Sequence, residues 1–159
     1  MSRAKGAPRR QINPDPIYHS QLVSKLITVI MRHGKKTVSQ KQIYTALDQI
    51  KEKTKEDAVN VLRQALDNVK PVMEVRSRRV GGAAYQVPSP VRGERREALA
   101  IRWLITAARS RSNSQYHHFY DKLTAEILDA AKNLGGAVER KNQIHKVAEA
   151  NKAFSHFRW

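Results

Sequence analysis

The chain has no cysteine. That excludes disulfides, thiolate metal sites and thiol catalysis, and it fits a reducing compartment. Long apolar runs are also missing. The richest, Leu22 to Met31, is interrupted by Ser24 and Lys25 and is too short to cross a bilayer. A secretory signal needs an apolar stretch after its first basic residues, and here Pro8, Arg9 and Arg10 follow instead. Acids are absent until Asp15, as in transit peptides, but Pro8, Pro14 and Pro16 oppose an amphipathic helix there. A soluble cytoplasmic chain is the expectation. Catalytic signatures are lacking too. There is no Walker loop, no serine elbow and no HExxH pattern. His117 and His118 are adjacent, so on a helix they diverge by about 100° and share a metal poorly. No enzyme, no cofactor and no metal are expected.

Acidic residues are scarce, 14 against 30 Lys and Arg, which leaves a net charge of +16 with neutral His. Such an excess repels itself and weakens the compact state unless a polyanion neutralises it. Nucleic acid is the leading partner, because each neutralised phosphate releases a condensed counterion. An anionic membrane surface is the competitor.

The length of 159 residues suits one domain. Residues 1–19 read as an extended basic arm, charged by Arg3, Lys5, Arg9 and Arg10. Residues 20–159 read as mainly α, six helices with one protruding β-hairpin between the third and fourth. Helix one spans about Gln21 to His33, capped by Ser20 and stopped by Gly34, with Lys35 and Lys36 in a basic loop. Helix two covers roughly Ser39 to Lys51. Helix three follows Thr54, where Thr54-x-x-Asp57 resembles a capping box. The period then changes to two over about 72–88. Met73, Val75, Tyr85 and Val87 are expected on one hairpin face, with Glu74, Arg76, Arg78 and Gln86 on the other. Gly81-Gly82 supplies the turn, and Pro88 and Pro90 close the second strand. Helix four, about Gly93 to Ser110, is the expected central core helix, with Trp103 on its flank. Helix five runs from Phe119 to Leu134 and points Leu134 inward. Helix six starts near Ala137 and points Ile144, Val147, Ala148 and Phe154 inward.

Arginines carry the sharpest signal. From Val72 to Asp121 there are nine Arg and no Lys: Arg76, Arg78, Arg79, Arg92, Arg95, Arg96, Arg102, Arg109 and Arg111. A guanidinium meets phosphate bidentately and stacks on bases, which an ammonium cannot do. Arg95, Arg102 and Arg109 are seven apart, so they drift only about 20° per step and form one narrow stripe. The bland alternative is a solvated charged face, although such faces usually mix both signs. Three helices and a hairpin also outline a winged-helix DNA reader. Against it, the third helix carries Lys55, Arg63 and Lys70 against Glu56, Asp57 and Asp67, where a recognition helix should be basic. Charge spread over arm, hairpin and helix four suits an irregular polyanion such as folded RNA. Tyr85 is expected in core contact, while Phe154, Phe157 and Trp159 end the chain as candidates for a protein or RNA contact.

Several ordered motifs carry a resemblance. They are Pro14-Asp15-Pro16, Gly34-Lys35-Lys36, Val75-Arg76-Ser77-Arg78-Arg79-Val80-Gly81-Gly82, Tyr85-Gln86-Val87-Pro88, Leu99-Ala100-Ile101-Arg102-Trp103, and Ala148 to Phe154 with Arg158-Trp159. Together they resemble the small-subunit ribosomal protein S-seven family of the bacterial type, over nearly the whole chain. The stretch Ser112 to Tyr120 departs from the family pattern. The resemblance implies a primary binder of 16S-type ribosomal RNA that nucleates assembly of the subunit head, in a bacterial or organellar ribosome. It implies a place near the exit site, with Arg78, Arg79, Gly81 and Gly82 approaching tRNA and mRNA. The ribosomal RNA contacts it suggests, taken with the charge pattern, are Arg3, Lys5, Arg9, Arg10, Arg32, Lys35, Lys36, Arg76, Arg78, Arg79, Arg92, Arg95, Arg96, Arg102, Arg109 and Arg111. The C-terminal residues Phe154, Phe157, Arg158 and Trp159 would meet the eleventh, platform protein of the subunit. No membrane partner is implied.

If six to ten phosphates are neutralised, RNA affinity should fall about 10³- to 10⁵-fold between 50 and 200 mM salt. Filter binding across a salt series checks this, and a flat response would contradict the electrostatic grip.

Overall fold

The computed structural model describes residues 11–157. Helices dominate, in the order α1 (Gln21–Ile30), α2 (Lys36–Thr54) and α3 (Ala58–Val69). Strands β1 (Met73–Val80) and β2 (Ala83–Pro90) follow, then α4 (Gly93–Ser110), α5 (Phe119–Ala131), α6 (Gly136–Ala150) and a short 3-10 helix, Lys152–Phe157. The mainly α fold with a hairpin between the third and fourth helices is thus the one expected.

Helical spacing of apolar residues builds one contiguous core. It takes Val23, Leu26, Ile27 and Ile30 from α1, Ile43, Ala46, Leu47 and Ile50 from α2, and Leu62, Ala65 and Leu66 from α3. Helix α4 adds Ala100, Ile101, Leu104, Ile105 and Ala108. It shares the centre with α5, which packs on α2, α3 and α4. The buried Thr124 hydroxyl of α5 donates to the Ala46 carbonyl at 3.2 Å. Asn68 of α3 donates to the carbonyls of Ala130 and Ala131 at 3.0 and 2.9 Å, which satisfies the C-terminal end of α5.

Helix ends differ from the sequence reading in four places. Helix α1 stops at Ile30 because Met31 is extended, and His33 and Gly34 take positive φ in the turn. Helix α2 opens earlier, so Lys36 lies in its first turn rather than in a loop, and it continues to Thr54. The third helix is capped by Asp57, whose carboxylate accepts from the Val59 amide, while Thr54 still belongs to α2. Helix α5 ends at Ala131. Asn133 adopts φ +60°, Leu134 N donates to Asp129 O and Asn133 N donates to Ala130 O, a Schellman arrangement that swings Leu134 out to 61% exposure. In α6 the buried residues are Ala137, Val138 and Ala148, with Val147 exposed; Phe154 lies in the 3-10 helix instead.

The hairpin corrects the expected face assignment. Gly81 and Gly82 both take positive φ, as a tight two-residue turn needs. This turn pairs Arg78 with Tyr85, Arg76 with Val87, and Val75 with Pro88. Cross-strand partners share a face. Tyr85 and Val87 therefore lie with the arginines, not with Met73 and Val75. An alternation within each strand is legible, but the phase between strands is set by the turn. Pro88 and Pro90 lie within β2, where a two-stranded sheet tolerates them. The Tyr85 ring packs on Phe154 and Phe157 of the 3-10 helix, at 5.1 and 5.4 Å between centroids. The hairpin base rests on α6, where His145 Nε2 accepts from the Val72 amide at 3.1 Å. Burial, with Lys141 nearby, pushes the His145 pKa down and keeps the ring neutral for that role.

Gly135 joins α5 to α6 at φ +90°, ψ 166°, a region essentially restricted to glycine. An added Cβ would meet Glu126 Oε1 at 3.1 Å and Asp129 Cβ at 3.2 Å. Gly135→Ala should cost about 1–3 kcal/mol. Urea unfolding measures it, and an unchanged midpoint would refute the strain.

Candidate nucleic-acid interface

The expected site residues separate into groups with different surroundings. Arg3, Lys5, Arg9, Arg10, Arg158 and Trp159 lie outside the described residues. At the root of the N-terminal segment, Asp15 is buried. It accepts from the amides of Ile17 and Tyr18 and from the Tyr44 hydroxyl at 2.7 Å, which ties the Pro14-Asp15-Pro16 turn to α2. Burial and Asp48 push the Tyr18 hydroxyl up to about 12; burial and Asp15 do the same for Tyr44. Both phenols stay protonated as donors.

Helix α4 carries Arg95, Arg102 and Arg109 exposed along one side. At 1.5 Å per residue the stripe is about 21 Å long. Its two ends are held. Arg109 donates to the Ile30 carbonyl at 3.1 Å and lies over the Phe119 ring, 5.9 Å from its centroid. Burial, then the charge of Arg32, pushes its pKa down. Around it, Arg32, His33, Lys35, Val38 and Phe119 line a recess of about 470 Å³. Lys36 adds a cation to the first turn of α2, which contains no acid. A helix N-terminus already carries partial positive charge, so this corner attracts anions.

At the other end, Arg95 Nε donates to Glu74 Oε2 at 2.7 Å, and Arg76 Nε donates to Glu74 Oε1 at 2.7 Å. Glu74 is buried at the foot of β1, while both arginine side chains stay about half exposed. Burial alone would raise the Glu74 carboxyl, but the hydrogen bonds from Arg95 and Arg76 outweigh it and hold the pKa below its ordinary value. Arg76, Arg92 and Arg95 face a groove of about 1030 Å³ between the hairpin foot and the start of α4. Arg96, next on α4, is half-buried, and its Nε lacks a hydrogen-bond partner.

Arg111 belongs to the fold's interior. Its Nε donates to Glu126 Oε2 at 2.7 Å, a second nitrogen reaches Asp129, and its guanidinium lies near the Tyr116 ring. Burial lowers its pKa, but Asp129 and Glu126 more than reverse that. The other Glu126 oxygen accepts from the Ala137 amide at 2.9 Å, so one carboxylate joins the end of α4 to the start of α6. Beyond these groups, Arg78, Arg79, Gly81 and Gly82 are exposed at the hairpin tip. Phe154 and Phe157 pack on Tyr85 and are only half-exposed. Residue types alone do not single out Glu74, Glu126 or Asp15; the one available signal is that Glu74 is an acid standing within the arginine-rich run. Among the described residues, no three His, Asp or Glu side chains gather as a metal site, and no helix is long and apolar enough to cross a membrane.

The structure is a helical body that holds several guanidinium groups at its surface. The chain belongs to the family of ribosomal protein S7p/S5e, whose model matches residues 2–152. It is similar to small ribosomal subunit protein uS7 of Chelativorans sp. (strain BNC1), 55% identical over 159 residues and the full length of both chains. The same protein of Pelagibacter ubique is 51% identical and that of Acetivibrio thermocellus 54%, again over both full lengths. This is a family of structural proteins of the small ribosomal subunit, not of enzymes.

The contrast between Arg111 and Arg102 is testable. Arg111→Ala strands the buried Glu126 carboxylate and should cost about 3–5 kcal/mol in urea unfolding. Arg102→Ala should change stability by less than about 0.5 kcal/mol and weaken RNA binding instead. Equal stability losses would remove the distinction.

Proposed function

We propose that this chain is a primary binder of 16S-type ribosomal RNA that orders the head of the small subunit and sits near the exit site. The observation that carries the reading is the exposed arginine stripe of α4, tied at both ends to other elements. Held guanidinium groups lose little freedom on meeting phosphates. Stripe, groove and the positive start of α2 together present cations on several sides, as an irregular RNA junction requires. No bond is made or broken. Binding energy selects the compact junction over its open forms.

The hairpin tip has a separate job in this reading. Arg78 and Arg79, exposed at the hairpin tip, approach exit-site tRNA and mRNA. The aromatic C-terminal end, with Phe154 and Phe157 against Tyr85, forms the side that meets the eleventh protein. Both assignments follow the family resemblance.

A double variant Arg78→Ala, Arg79→Ala should keep affinity for a head-domain RNA fragment within about tenfold while weakening exit-site tRNA retention in assembled subunits. Complete loss of fragment binding would overturn this division. Tighter binding to duplex DNA than to the RNA fragment at matched salt would overturn the reading as a whole and favour the winged-helix alternative.

A further inference from the structure

We propose that Glu74 is a positioning residue for RNA binding: it holds Arg76 and Arg95 as a paired clamp for one backbone phosphate in the groove at the hairpin foot. The inference rests on the RNA-binding reading above and concerns a residue of the wrong charge to touch RNA itself.

Three observations carry it. First, Glu74 uses one carboxylate oxygen for each arginine, and the two arginines come from different elements, β1 and α4. A single side chain thus sets the separation of two guanidinium groups that the backbone alone leaves independent. Second, the carboxylate is buried while the arginines are half exposed. Each guanidinium has five N–H donors, so bonding to Glu74 leaves others directed outward. Third, both arginines and Arg92 line the same groove, which runs against the first turn of α4. The groove also carries Glu94, so its selectivity for a phosphate depends on where the cations are held, not on net charge alone.

Charge and geometry make opposite predictions. If Glu74 acted only through its charge, neutralising it would remove repulsion and tighten RNA binding. If it positions the arginines, Glu74→Gln must weaken binding. A glutamine retains one acceptor oxygen and turns an N–H₂ toward the other guanidinium, so one arginine is released.

The test uses the full chain and a head-domain 16S-type RNA fragment at fixed salt. Glu74→Gln should weaken binding about tenfold and lower the salt slope by about 1, measured at a temperature where circular dichroism shows the free variant fully folded. In an Arg76→Ala, Arg95→Ala background the same change should have no further effect. Unchanged or tighter binding by Glu74→Gln overturns the proposal, as does an equal loss in the double-alanine background. Should Glu74→Gln fold poorly, Arg76→Lys, Arg95→Lys keeps charge and leaves Glu74 in place. That variant should also lose about tenfold, because lysine lacks the fork that bonds carboxylate and phosphate together. Parent-like affinity would sink the clamp. Failure of the parent chain to bind the fragment at all would instead refute the RNA reading, so the two failures are distinct.

Discussion

The fold depends on a buried carboxylate meeting a guanidinium. A chain with this excess of positive charge has few acids, and it places Glu126 and Glu74 where water is excluded. A desolvated carboxylate is stable there only if donors surround it. Glu126 takes Arg111 and the Ala137 amide and so closes α4 onto α6. Glu74 takes Arg76 and Arg95 and so closes the hairpin onto α4. Removing Arg111 leaves the buried Glu126 charge without its cation, and removing either Arg76 or Arg95 leaves one Glu74 oxygen without its donor, which makes these links stiff. They also sort the arginine run. Arg111 is spent on structure, Arg76 and Arg95 are held but still reachable, and Arg78 and Arg79 remain at the tip.

Helix α4 transmits this order along the molecule. Its apolar side is locked into the core by Ile101, Leu104 and Ile105, so its opposite side cannot rotate. Arg95 and Arg109 are fastened to Glu74 and the Ile30 carbonyl at the two ends. The stripe is therefore a row of cations with its two end side chains fixed and its middle member, Arg102, placed by the helix backbone. Preorganisation of this kind favours one geometry of a polyanion over others of equal charge.

Much of this was legible without the structure. The apolar periods of α1 to α5, the neutral third helix, the Gly81-Gly82 turn and the basic run follow from local pattern, because burial of a helix face demands that spacing. The motifs that carry the family resemblance are likewise linear. What misled were inferences that crossed elements and the placing of helix ends. The hairpin faces came out reversed in phase because a two-residue turn pairs odd with even positions. Leu134 was assigned inward by its spacing, yet Asn133 ends α5 one turn earlier. Lys36 looked like loop and starts a helix. Arg111 looked like one more surface cation in a basic run and proved to be an interior partner of Glu126 and Asp129.

By itself, the sequence determined the mainly helical class, the place of the hairpin, the excess of positive charge and the family. These depend on composition and on neighbours along the chain. Only the tertiary structure decided which arginines are available and in what geometry. A guanidinium's role is set by the carboxylate or carbonyl that reaches it from another element, and such partners are separated by 15 residues for Arg111 and Glu126, 21 for Arg95 and Glu74, and 79 for Arg109 and Ile30. No local period encodes those meetings; they follow from how the helices pack.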